Sequence, residues 1–295
     1  MRSERRTVAT EVEGPIELHW LEHGDPAASQ VVVCVHGLTR NAHDFDRIAA
    51  AMARRGARVL AVDVPGRGGS AWFRDPDHYA VPVYAPILRT WLQELGLDEV
   101  AWLGTSMGGL IGMVVAAGPD SPIGRLVLND VGAFVPKEAL SPIGAYLGLD
   151  LRFADLEAVE RHLRTIHAGF GRHLDDGFWR ELARRSSRPA GDGPGWRMHY
   201  DPAIRLPFQR QEAADIDLRE LWAAIRCPTL LVRGAESPLL PAAIAQEMTR
   251  TGPRAELVTF MDCGHAPSLA EPEQIEQVAD WLCGPETGNG LISVV

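Results

Sequence analysis

The run VAWLGTSMGGLIGMVVAA, residues 100–117, constrains the fold more than any other stretch. Val100 to Leu103 is a short apolar run of the kind that makes a buried strand, and Leu110 to Ala117 is apolar almost all round, as a buried helix would be. Between them Gly104 and Gly108 bracket Ser106 in a G-x-S-x-G pattern. A serine on so sharp a strand-to-helix turn sits in strained backbone. Its neighbours two residues away must be tiny, because side chains there would strike the adjoining strand and helix. The outcome is an exposed hydroxyl at a helix N-terminus, where unpaired N–H groups favour developing negative charge. Ser106 is therefore the expected nucleophile.

The rest of the chain supplies a frame for such a turn. Strands are expected at Thr7 to Glu13, Ile16 to Glu22, Gln30 to His36, Arg58 to Val62, Val100 to Leu103, Arg125 to Asp130, Pro228 to Arg233 and Ala255 to Phe260. Helical spacing lies between several of them, at Asp44 to Arg55, Val83 to Leu95 and Pro241 to Arg250, and after the last of them, at Pro272 to Leu282. Alternation of this kind implies parallel strands joined by right-handed crossovers. The rhythm breaks at Phe134. From there to Phe208 the pattern is helical, with no strand between the pieces, and Asp155 to Ala168 and Phe178 to Arg185 are the clearest. The expected organisation is a core of residues 1–133 and 209–295 with a helical cap, 134–208, inserted after the sixth strand. Such an excursion reads as a lid over the strands' C-terminal edge, where open α/β sheets bind ligands.

Composition narrows the partners. The net charge of −10, from 29 basic and 39 acidic residues, argues against nucleic acid or an anionic membrane surface. The first residues carry charge with no apolar segment after them, and no apolar run is long enough to span a bilayer, so a cytoplasmic protein is expected. Cys34, Cys227, Cys263 and Cys283 lack metal-type spacing and read as reduced packing residues.

A serine nucleophile needs a base and an oxyanion site. His265, between Gly264 and Pro267 directly after the last strand, is the expected general base. Two backbone N–H groups must point at one oxygen. Met107 supplies one, and Leu38, in the turn after the first parallel strand, supplies the other. His36 reads as a ring that holds this turn by hydrogen bonds. Arg40 and Arg67 read as loop-stabilising, with the gripping of a substrate carboxylate as the other role open to them. Trp72, Phe73, Phe134, Trp196, His199 and Tyr200 fall in loops or the lid and suggest a partly aromatic substrate pocket.

His36-Gly37, Asp63-x-Pro-Gly-Arg-Gly-x-Ser70, Gly104-Thr-Ser-Met-Gly-Gly109 and Gly264-His265, taken in this order, resemble the α/β-hydrolase superfamily, in its branch of cap-bearing esterases. The resemblance implies a mostly parallel eight-stranded sheet flanked by helices, and ester hydrolysis through an acyl-enzyme with no metal or organic cofactor. The partner would be a small ester or acyl compound. One position departs from the family. Its acid usually follows the strand after the cap, where this chain has Ser237 and Pro238. Asp130, at the preceding strand's end, and Glu236 remain as carboxylates, with Asp130 preferred. A carbon–carbon bond hydrolase shares the serine chemistry but usually has an asparagine before the serine and a tryptophan after the histidine, where this chain has Thr105 and Ala266. Lactonases, acyltransferases and non-catalytic receptors on the same scaffold are the other readings. A fluorophosphonate probe separates the receptor from the enzymes.

Overall fold

The computed structural model describes residues 1–210 and 214–285. Eight strands form the central sheet: β1 (Arg2–Val8), β2 (Ile16–His23), β3 (Val31–Val35), β4 (Arg58–Val62), β5 (Val100–Thr105), β6 (Ile123–Asn129), β7 (Thr229–Gly234) and β8 (Glu256–Phe260). They lie in the order β1-β2-β4-β3-β5-β6-β7-β8. Only β2 runs against its neighbours, pairing antiparallel with both β1 and β4. The six strands from β4 to β8 are parallel. The central strands explain why: β3 reads Val-Val-Val-Cys-Val and is buried at every position, as a strand with helices on both faces must be.

Two helices cover one face, α1 (Asp46–Arg54) and, from the chain's far end, α10 (Pro272–Cys283). On the other lie α2 (Val81–Glu94), α3 (Met107–Ala117), α8 (Arg219–Ala224) and α9 (Ala242–Met248). Leu88, Trp91 and Leu92 of α2 are fully buried there. Burial of side chains this large contributes about 1.5–3 kcal/mol each.

After β6 the chain leaves the sheet. Helices α4 (Lys137–Tyr146), α5 (Leu156–Ile166), α6 (Asp176–Ser186) and α7 (Leu206–Arg210) follow before it returns. Short strands accompany them, contrary to the expectation of helices alone. Arg152–Phe153, Trp196–Met198 and Ser187–Pro189 make a three-stranded sheet. Phe134–Val135 pairs with Ile216–Asp217, which closes the excursion at its base eight residues past the expected end. Two or three residues are too few to display the alternation that marks a strand. The first strand is also displaced. It spans Arg2–Val8 rather than Thr7 to Glu13, because an edge strand with one open face tolerates the charges of Arg-Ser-Glu-Arg-Arg.

Candidate active site

The turn at Ser106 is built as tightly as its glycines imply. Its φ of 52° and ψ of −114° place a non-glycine residue in left-handed backbone. A Cβ on Gly104 would lie 2.3 Å from the Gly108 carbonyl oxygen, and one on Gly108 would lie 2.0 Å from that of Val35. The Ser106 N–H donates to the Asn129 carbonyl at 2.9 Å, which fixes the turn against β6.

Three side chains from distant segments meet there. Ser106 Oγ lies 3.0 Å from His265 Nε2, and His265 Nδ1 lies 2.7 Å from Asp130 Oδ2. With Nδ1–H donating to the carboxylate, Nε2 is free to accept the serine proton. Asp130 is wholly buried. Its other oxygen accepts the Gly234 N–H at 2.9 Å, and its own N–H donates to Val232 at 2.8 Å. Its φ of 60° is one that aspartate adopts more readily than most residues. Glu236 is elsewhere, exposed and paired with Arg172 at 2.7 Å. Ser237 closes its own turn, its Oγ accepting from the Leu239 and Leu240 N–H groups.

Asn129 is a site residue that pattern reasoning passes over. It is fully buried, and its Nδ2 donates to Thr105 Oγ1 at 3.1 Å and to the Pro267 carbonyl at 2.9 Å. It thus ties the serine strand to the histidine loop. Its only signal in the sequence is a polar residue ending an apolar strand.

The turn expected to hold the oxyanion lies against Ser106. A methyl group on Gly37 would sit 3.7 Å from Ser106 Cβ. Among the described residues neither the Leu38 nor the Met107 N–H donates to a backbone carbonyl. His36 holds the turn from beneath. Its Nδ1–H donates to the Gly37 carbonyl at 2.7 Å, and its Nε2 accepts the Val64 N–H at 2.9 Å. Burial pushes its pKa down to about 4, so the ring is neutral near pH 7. Arg67, also fully buried, touches both halves of the site. Its Nε donates to the Leu38 carbonyl at 2.8 Å, and its Nη2 lies 3.8 Å from Met107 Sδ. Tyr84 Oη and the Pro65 carbonyl hold the remaining nitrogen. Arg40 is paired with Asp44. Asp63 accepts from the Ala42 and Gly69 N–H groups and bonds His19, a loop-fixing role.

A cavity of about 980 Å³ opens on Ser106 and His265, and Leu38 and Met107 line it. The expected aromatic pocket residues do not. Trp72 is exposed and lies under Arg188, Phe134 lies under Arg219, and Trp196 is in the small sheet. Tyr200 donates its hydroxyl to the Leu149 carbonyl. Phe73 packs on Tyr79, and His199 lines a separate hollow of about 290 Å³. Five of the six belong to contacts between the excursion and the core or within the excursion, and Phe73 packs within the core. The aromatic walls come instead from Phe45, Tyr79, Tyr84, Tyr146, Phe170 and Phe178. Loop position alone does not say which way a side chain turns.

Among the described residues no group of three or more His, Cys, Asp or Glu could hold a metal ion. The four cysteines are free thiols. Among the described residues no helix is long and apolar enough to cross a membrane.

A family model described as the alpha/beta hydrolase fold matches residues 30–272. A 3-hydroxybutyrate-oligomer hydrolase of Cupriavidus necator is 43% identical over 280 residues, which cover 92% of this chain and 95% of that protein. A pimeloyl-[acyl-carrier protein] methyl ester esterase of Aromatoleum aromaticum is 30% identical, covering 74% and 84%. The crystal structure of an alpha/beta hydrolase from Novosphingobium aromaticivorans superposes with a TM-score of 0.84 at 34% identity, covering 95% and 98%.

Proposed function

Since this chain belongs to the alpha/beta hydrolase family and is an ester hydrolase, we propose that Ser106, His265 and Asp130 carry the reaction through an acyl-enzyme. The observation that carries the assignment is the continuous chain of contacts, 3.0 Å from serine to imidazole and 2.7 Å from imidazole to carboxylate. Ser106 Oγ attacks the ester carbonyl while His265 Nε2 takes its proton. The carbonyl oxygen becomes an oxyanion held by the Leu38 and Met107 N–H groups, each donor being worth about 10²–10³ in rate. As the intermediate collapses, His265 returns the proton to the departing alcohol. Water then repeats the sequence on the acyl-enzyme, and its proton passes through the same imidazole to the serine. Buried Asp130 orients the ring and stabilises the imidazolium.

The excursion acts as the lid. Tyr146, Phe170 and Phe178 line the same cavity as Ser106, which supports that role. Free thiols suit a cytoplasmic setting. The natural substrates are short oligoesters of hydroxy acids, a reading supported by the Cupriavidus necator relative.

In the decisive test, Ser106→Ala abolishes turnover of p-nitrophenyl butyrate and labelling by a fluorophosphonate. Retained turnover would overturn the nucleophile. For the substrate class, release of monomer from the 3-hydroxybutyrate dimer is followed by chromatography. An enzyme that turns over p-nitrophenyl butyrate yet leaves the dimer intact would refute the oligoester reading alone.

A further inference from the structure

We infer that Arg40, Tyr146 and His167 form a subsite that receives a neutral oxygen of the substrate chain, a hydroxyl or an ester carbonyl, beside the reacting ester. The inference rests on the ester-hydrolase reading and narrows its substrate class. Most of the cavity wall is hydrocarbon, with Leu110, Val114, Leu140 and Ile143 among its side chains. A plain alkyl substrate needs nothing else. Yet Arg40, Tyr146 and His167 belong to the same wall, beside the charged residues Asp44, Arg47, Glu181 and Arg185.

Arg40 is buried, and a methyl on Gly37 would lie 3.7 Å from both its Cγ and Ser106 Cβ, so its stem starts beside the nucleophile. Asp44 occupies its Nε at 3.0 Å and its Nη2 at 2.5 Å. The Nη1 corner has no partner among the described residues. His167 is buried as well, and its Nε2 is also unpartnered. Its ring stacks on Phe170 with centroids 4.3 Å apart, and the Arg40 guanidinium lies 5.9 Å from the same Phe170 ring. Tyr146 meets His167 edge-on at 6.4 Å. The cluster adjoins the proposed base, because the carbonyls of Gly169 and Phe170 accept the N–H groups of Gly264 at 2.8 Å and Ser268 at 3.0 Å.

The charge balance selects the ligand. Burial, then Arg40 and His265, hold the His167 pKa well below the usual imidazole range, so the ring is neutral. Asp44 offsets the charge of Arg40. What remains is a set of hydrogen-bonding heads with no net charge. A buried unpartnered donor is satisfied by a neutral oxygen and left bare by a methylene, so an alkyl chain is rejected. A carboxylate gains little there, since Asp44 already neutralises the cation.

The test compares kcat/KM within matched pairs of esters. Oxygen on the acyl side is probed by p-nitrophenyl 3-hydroxybutyrate against p-nitrophenyl butyrate, and oxygen on the alcohol side by 2-methoxyethyl butyrate against butyl butyrate. The oxygenated member of at least one pair is expected to be favoured by about tenfold or more. That ratio falls towards unity in His167→Phe, which keeps the stack on Phe170, and in Arg40→Lys, which keeps a cation for Asp44 without the free corner. Tyr146→Phe, at a half-buried position, decides the matter if either buried substitution fails to fold. Ratios near one for both pairs in the native enzyme overturn the subsite, as do ratios the variants leave unchanged. Preference for p-nitrophenyl hemisuccinate over both p-nitrophenyl esters would also refute it, in favour of a carboxylate site. An intact 3-hydroxybutyrate dimer alongside a high ratio refutes only the oligoester reading, and an active Ser106→Ala refutes the hydrolase mechanism itself.

Discussion

At Asp130 one carboxylate serves two partners, His265 through Oδ2 and the Gly234 N–H through Oδ1. Replacing it by Asn presents an amide where the imidazole N–H needs an acceptor, or turns that amide against the Gly234 N–H. Asp130→Asn is expected to lower kcat by about 10⁴. Glu236→Gln, at an exposed ion pair, is expected to leave kcat within about twofold. Steady-state kinetics on one ester compares the two, and a collapse in Glu236→Gln alone would transfer the role. Ser106 and His265 are legible because glycines and a strand end frame each of them. The proposed acid is less so, since Ser237 stands where the family places it and only the third dimension brings β6 to the histidine. His36 makes a second prediction. Its folded pKa of about 4 lies below the ordinary imidazole value of 6.5, so the folded state binds fewer protons between the two. The stabilisation from its neutral ring is complete above pH 6.5 and is lost as pH falls towards 4, by about 3 kcal/mol. The depressed values of His23, His162, His167 and His199 act in the same direction. Denaturant melts across this range should show the loss, with a shallower slope in His36→Gln.

Among the elements, the β5–α3 junction is where sequence and backbone agree most closely, and a pair of glycine substitutions separates its demands from ordinary helix propensity. A Cβ on Gly108 meets backbone, Val35 O at 2.0 Å, and backbone cannot swing aside. Gly108→Ala is expected to cost about 3 kcal/mol or more, read as a lower denaturation midpoint or failure to fold. Gly144, inside α4, has nothing within 4 Å of its Cβ position. Gly144→Ala is expected to stabilise by up to about 1 kcal/mol, because alanine loses less backbone freedom in a helix. The same contrast explains which elements can be read from the chain. Long periodic segments such as α5, with Val159 and Leu163 buried one turn apart, announce themselves. The pairings Arg152–Phe153 and Phe134–Val135 do not, since two residues carry no period and their partners lie more than forty residues away.

Over the whole molecule the excursion does more than line the cavity, for it is bonded to the loop that carries His265. The carbonyls of Gly169 and Phe170 hold that loop on both sides of His265. Farther along, Tyr79 donates to Asp201, Asn41 Nδ2 donates to the Arg185 carbonyl, and the Gly68 N–H donates to His199. Loop and excursion are therefore set as one body, and a change in the excursion should register in the chemistry rather than only in substrate choice. Gly169 tests this. A Cβ there would lie 3.1 Å from His265 N and 3.2 Å from Gly264 Cα, so the histidine loop must yield by a few tenths of an ångström. Between the proposed base and nucleophile, displacements of this order slow proton transfer, since catalytic geometry tolerates only about 0.5 Å. Gly169→Ala is expected to reduce kcat several-fold with a smaller change in KM, although the residue is 96 positions from His265 in the chain. If KM rises while kcat holds, the excursion shapes the pocket without positioning the base, and the two parts of the molecule work separately.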